Sequence, residues 1–211
     1  MWVMYADLSD CRHSKGGRGM SFDIIIAGIG GQGTILLSNI IGEAGVIEGR
    51  SIRSAETHGM AQRGGSIECQ VRIDQEYGCQ IAPGNADLMI SFDLLETARF
   101  AHYMKQHGTV VTNSEYVLPT SVFAQSLPDP GAGILLSAFD TQNVLSIDAR
   151  RLAEQAGTIL TQNVVLLGAA SWFIPLNESS LREAISCRVP EKSKEMNLSA
   201  FDLGRSATQS S

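Results

Sequence analysis

An α/β fold, a three-layer sandwich around a largely parallel sheet, is what this sequence predicts. Three observations carry that expectation. Short β-branched apolar runs alternate with segments of helical spacing along most of the chain. The first run is followed at once by a glycine-rich turn and then a helical pattern. One segment, Ser66 to Ile73, alternates strictly between apolar and polar residues, which predicts an antiparallel excursion near residues 66–81.

Phe22-Asp23-Ile24-Ile25-Ile26-Ala27 is apolar at almost every position, the pattern of a strand buried on both faces. Gly28-Ile29-Gly30-Gly31-Gln32-Gly33 forms the turn. Between Thr34 and Ile47, apolar residues fall at 36, 37, 40, 41, 44 and 47, the spacing of one helix face, and Gly45 and Gly49 mark its end. Ser51 to Ser54 predicts a short second strand, and the polar stretch Ala55 to Gly65 a loop. Ser66 to Ile73 puts Ile67, Cys69, Val71 and Ile73 on one face of a strand, with Gln75 to Ile81 as its hairpin partner.

Ala86 to Phe92 reads as a buried strand, Asp93 to Gln106 as a helix, and Thr109 to Thr112 as a strand entered through Gly108. Leu118 to Gly133 carries Pro119, Pro128 and Pro130 and is irregular in places. Asn143 to Ile147 predicts another strand and Arg150 to Ala156 a short helix. Gln162 to Phe173 is a buried helix of small residues stopped by Pro175. Glu178 to Cys187 and Lys192 to Leu203 are terminal helices. Residues 1–21 are expected to be a flexible extension, with Met20 an alternative start, 22–204 one domain, and 205–211 a polar tail opened by Gly204.

The chain has 211 residues, 16 basic and 22 acidic, for a net charge of −6, and 44% of it is hydrophobic. That composition excludes general disorder and disfavours a nucleic-acid partner, because an acidic chain repels phosphate. The longest apolar stretch, Val164 to Ile174, falls short of the ~20 residues of a spanning helix. Asp7 and Asp10 interrupt any secretory apolar segment. A cytoplasmic protein with no membrane partner is expected. Cys11, Cys69, Cys79 and Cys187 contain no CxxC pair, so they are expected to be free thiols rather than ligands of zinc or an iron–sulfur cluster.

Gly28-x-Gly30-x-x-Gly33 stands between a strand and a helix, where its glycines permit a tight turn and helix N–H groups favour an anion. Two readings stay open: contact with a nucleotide or phosphate, involving Gly28, Gly30, Gly31, Gln32, Gly33 and Thr34, or tight strand–helix packing with no ligand. The acidic residue of a dinucleotide site is poorly supplied, since Glu48 sits near a helix end and Glu56 lies too far on. A second polar constellation holds His58, Gln62, Arg63, Gly64 and Gly65. Arg63 offers a planar charged fork for carboxylate or phosphate, or alternatively an ion pair at a subunit interface. No HExxH, GxSxG or paired carboxylates give a catalytic residue.

These motifs, Asp23 to Gly33, Glu56-Thr57-His58-Gly59-Met60-Ala61-Gln62-Arg63-Gly64-Gly65, Val71-Arg72-Ile73, Thr161 to Ala169 and Asn197 to Gly204, occur in the order in which the gamma-type subunits of 2-oxoacid:ferredoxin oxidoreductases carry theirs. The chain resembles that family from about Phe22 to Gly204, and its His-Gly-Met-Ala-Gln-Arg-Gly-Gly run is most similar to the indolepyruvate type. The resemblance implies CoA-dependent oxidative decarboxylation of a 2-oxoacid on thiamine diphosphate, with electrons passed through iron–sulfur clusters to ferredoxin. The sequence has neither a cysteine cluster nor the Gly-Asp-Gly motif of a thiamine diphosphate site. The resemblance therefore implies no cofactor on this chain alone. It places thiamine diphosphate, Mg and 4Fe–4S clusters in a larger partner subunit of a hetero-oligomer, with CoA as co-substrate. The alternatives are an independent NAD- or flavin-binding enzyme and a non-catalytic assembly subunit.

Overall fold

A computed structural model describes residues 21–58, 65–119, 122, 124–126, 128–139 and 141–209. Its first strand, β1 (Phe22–Ile29), is buried from Asp23 to Gly28, as a strand covered on both faces must be. It runs past Ala27, so Gly28 and Ile29 belong to the strand and the turn proper is shorter than its motif. Helix α1 (Thr34–Ile47) follows with the predicted bounds.

The antiparallel part is arranged differently from the sequence expectation. Strand β2 (Ile52–His58) pairs with β3 (Ser66–Ile73) from Ile52 opposite Ile73 to His58 opposite Ile67. The hairpin partner of β3 therefore precedes it, and Glu56, Thr57 and His58 lie on a strand rather than in a loop. β2 is the edge of the sheet, where polar side chains guard against further pairing, and this composition conceals a strand. The segment 75–81 forms no strand. Side chains hold it instead: Arg72 Nη1 donates to Gln80 O (2.8 Å), and Ile81 N donates to Gln70 Oε1 (2.5 Å).

Strands β4 (Ala86–Ser91), β5 (Met104–Asn113) and β6 (Asn143–Ile147) complete a sheet of order β2-β3-β1-β4-β5-β6. β1, β4, β5 and β6 are parallel, and β3 runs against both its neighbours. Helix α2 (Leu94–Arg99) stops well before Gln106, because β5 begins at Met104. Pairing shifts register between Ala86 and Leu88, and His107 adopts φ 60°, so the polar stretch read as helix is an irregular strand entry.

Further helices among the described residues are α3 (Gly131–Leu136), α4 (Ala149–Ala156), α5 (Gln162–Ala170), α6 (Glu178–Arg188) and α7 (Lys194–Gln209). α7 continues through Gly204 to Gln209, so residues 205–209 are helix rather than tail. The reason lies in α5, which is buried from Asn163 to Ala170 between the sheet and α7. A Cβ on Gly168 would lie 2.1 Å from Phe201 O, and one on Gly204 would lie 2.0 Å from Val165 O. Two glycines thus let the helix backbones touch, and Gly204 is a contact residue inside a helix.

The layers are unequal. One face of the sheet, with Ile24, Ile26, Val71, Leu88, Ile90 and Val111, packs under α1 and α4–α7. The other, with Ile25, Met89 and Val110, is covered by Ile81, Phe139 and the half-buried Phe100 and Tyr103. At about 1.5–3 kcal/mol for each large apolar side chain buried, the first face supplies most of the stabilisation.

Candidate functional site

The turn at the end of β1 is built from backbone. Gly31 (φ 104°) and Gly33 (φ 89°) occupy left-handed conformations that disfavour a Cβ. Gln32 N donates to Ile29 O (3.1 Å), and Gln32 Oε1 accepts from Ile29 N (2.7 Å), which closes the turn on itself. Gly30 N donates to Gly65 O (2.8 Å) and ties the turn to the entry of β3. Gly33 is the N-cap of α1, with no side-chain cap and no acidic residue in the first turn. Gly30 and Gln32 have spent their N–H groups internally. An anion would instead meet those of Gly31, Gly33, Thr34 and the first turn of α1, at the positive end of its dipole.

This turn stands at a topological switch point. From β1 the chain goes to β2 on one side, with α1 on the heavily covered face. From β4 it goes to β5 on the other side, and residues 100–103 on that path cover the opposite face. Ligands of open α/β sheets bind in the crevice at such points. The walls are close. A Cβ on Gly28 would meet Gln32 Oε1 (2.8 Å), Thr34 Cγ2 (2.9 Å) and Phe92 Cβ (3.2 Å), and one on Gly33 would meet Asn163 Nδ2 (3.0 Å). Asn163 is buried at the start of α5, and its Oδ1 accepts from Val164 N (2.9 Å).

Of the residues singled out from sequence, Gly30, Gly31, Gln32 and Gly33 form this turn, Gly28 near the end of β1 and Thr34 at the start of α1 flank it, and Gly65 joins it through Gly30. His58 is the last residue of β2, opposite Ile67. Gln62, Arg63 and Gly64 lie outside the described residues. Asp93, Glu96 and Ser66 beside the turn were missed as site residues. Asp93 (1% exposed) caps α2 by accepting from Leu95 N (2.8 Å) and Glu96 N (3.2 Å), and it also accepts from Val117 N (2.7 Å). Burial raises its carboxyl pKa, and those three donors oppose the rise. Glu96 (4% exposed) accepts from Ser66 Oγ. The spacing Asp93-x-x-Glu96 is the signature of a capping box and was available as a signal.

Cys69 lies beneath the turn on β3. Burial, with the charge of Glu56 adding to it, pushes its thiol up to about 12, although a hydrogen bond with Thr34 opposes the shift. It is a buried structural thiol rather than a nucleophile. Among the described residues, no three His, Cys, Asp or Glu side chains come together as a metal-binding group, and no helix is long and apolar enough to cross a membrane. The described residues therefore bring together no ligand set for an iron–sulfur cluster.

The fold and its glycine turn define an α/β domain that presents backbone at a switch point. The family model described as pyruvate ferredoxin/flavodoxin oxidoreductase matches residues 23–207, and the chain belongs to that family. It is 36% identical over 194 residues to the indolepyruvate oxidoreductase subunit IorB of Thermococcus kodakarensis, covering 89% of this chain and 96% of that protein. The keto/oxoacid ferredoxin oxidoreductase gamma subunit of Geobacter sulfurreducens has the same fold, with a TM-score of 0.67 at 21% identity over 90% of this chain and 99% of that one. So does part of the 2-oxoglutarate:ferredoxin oxidoreductase of Magnetococcus marinus, whose structure holds 2-oxoglutarate, coenzyme A and succinyl-CoA. Its TM-score is 0.72 at 22% identity, covering 90% of this chain and 31% of that one.

Proposed function

We propose that this chain is the small subunit of an indolepyruvate- or arylpyruvate-type 2-oxoacid:ferredoxin oxidoreductase. The observation that carries the reading is its 36% identity across 96% of an indolepyruvate oxidoreductase subunit. Thiamine diphosphate, Mg and the 4Fe–4S clusters belong to a larger partner subunit, which supplies the decarboxylation and electron-transfer chemistry. Ferredoxin receives the electrons through the complex, and CoA is the co-substrate. This chain contributes a preorganised set of backbone donors, the N–H groups of Gly31, Gly33 and Thr34, for an anionic group of CoA or of the partner. Arg63 reinforces them as a charged fork.

A dinucleotide site finds less support. β3 stands between β1 and the strand that carries Glu56, and Glu48 Oε1 accepts from Asn177 N (2.6 Å) beyond the far end of α1. Neither carboxylate lies at the end of a strand next to β1.

The test is reconstitution. This chain is co-expressed with its candidate large subunit and purified anaerobically. CoA-dependent reduction of ferredoxin or viologen is then assayed with indolepyruvate and with pyruvate. Activity that requires both chains and favours the aryl substrate is expected. A chain that never associates and binds NADH or flavin on its own would overturn the reading.

A further inference from the structure

We propose that Glu96 is a positioning residue for the glycine turn, acting through Ser66. Glu96 has the N3 place of a capping box, from which a glutamate ordinarily reaches back over its own helix start. Here the side chain turns elsewhere. One carboxylate oxygen accepts from Ser66 Oγ and the other faces Arg99 Nε at 3.5 Å. Glu96 follows β4, whereas Ser66 opens β3, and β1 lies between those strands. The bond therefore crosses over the C-terminal end of β1, where the turn begins.

Its leverage comes from its place in the ladder. β1 and β3 pair up to Ile29 opposite Ser66. The next tie, Gly30 N to Gly65 O, lies past the last pair and joins two residues without side chains. A strand end in that position frays easily. Glu96 holds Ser66, Ser66 fixes the adjoining Gly65 carbonyl, and that carbonyl fixes the Gly30 peptide. The Gly30 peptide in turn sets the direction of the Gly31 and Gly33 N–H groups. Glu96 is almost fully buried, so the tie is shielded from water.

The functional half of this inference rests on the reading of the turn as an anion site. Two measurements keep the halves apart. In the full chain, hydrogen exchange at Gly30 should rise about tenfold in Glu96→Ala, with Ile25 unchanged. It should stay near the parent value in Glu96→Gln, whose carbonyl still accepts from Ser66. In the reconstituted complex, Glu96→Ala should raise the KM for CoA about threefold or more at nearly constant kcat, and Glu96→Gln should restore it. Ser66→Ala cuts the same bond from the other side and should reproduce the exchange change even if Glu96→Ala does not fold. Unchanged Gly30 exchange in both truncations, or a Glu96→Gln as disruptive as Glu96→Ala, would overturn the proposal. Raised exchange with an unchanged KM would uphold Glu96 as the anchor of the turn and overturn its role as an anion site.

Discussion

Glycine brings backbone to backbone in two regions of this protein, for different physical reasons. In the turn after β1, Gly31 and Gly33 are needed for their positive φ, and among the described residues nothing lies within 4 Å of a Cβ placed on Gly31. At the crossing of α5 and α7, Gly168 and Gly204 are ordinary helical residues with no space at all, since a Cβ on either would lie within 2.1 Å of a facing carbonyl oxygen. The turn exposes peptide groups, and the crossing buries them. Glycine at the crossing serves close packing, whereas glycine in the turn serves a left-handed backbone, the conformation on which the proposed anion site depends.

The sharpest test of that contrast is at the crossing. Gly168→Ala or Gly204→Ala forces two helix backbones apart and should cost about 3 kcal/mol, read by urea unfolding. A loss below about 1 kcal/mol would mean that α7 yields without strain. Gly33→Ala comes next, because it combines a left-handed φ with the Asn163 contact at 3.0 Å. About 1–2 kcal/mol is expected, together with a raised KM for CoA in the complex. Gly31→Ala meets nothing within 4 Å among the described residues, so its conformational cost is expected to dominate, about 1 kcal/mol. If Gly31→Ala weakens CoA more than it destabilises the fold, the turn is a ligand site. If the two effects run in parallel, it is packing.

The smallest effect is chemical. At pH 8 an alkylating reagent should modify exposed Cys187 and leave Cys69 untouched while the turn is closed. Because the folded Cys69 thiol ionises only near 12, against an ordinary 9, the unfolded chain gives up its proton first. Stability carried by this group is intact below pH 9 and is lost as pH rises towards 12. Cys69→Ala should flatten that part of the profile.

The parts legible in the sequence were those where periodicity and burial agree. Phe22 to Ile47 passes from a continuous apolar run through glycines to helical spacing, and the structure follows that order. Residues 55–58 were hidden because an edge strand carries the polar composition of a loop. Residues 104–108 were hidden because an irregular strand entry breaks the period of two. Gly204 was read as a terminator, since a glycine that opens the polar run Arg205-Ser206 says nothing of a helix packed against it from α5. In the site, the glycines were visible through their motif. The capping-box spacing pointed to Glu96 as a helix-start residue, but its contact with Ser66 was not legible, because it depends on β3 entering the sheet beside β1, a long-range fact that no local pattern records.

That placement of β3 also orders the assembly of the molecule. β2 and β3 form a hairpin, and β3 returns directly to β1, so α1 and three strands can associate through short loops within the first third of the chain. Local pairings of this kind close faster than parallel ones such as β1 with β4. The glycine turn thus belongs to the early-folding part, and Asn163, its wall from α5, arrives later. In pulsed hydrogen exchange during refolding, Gly30 should gain protection before Val165 does.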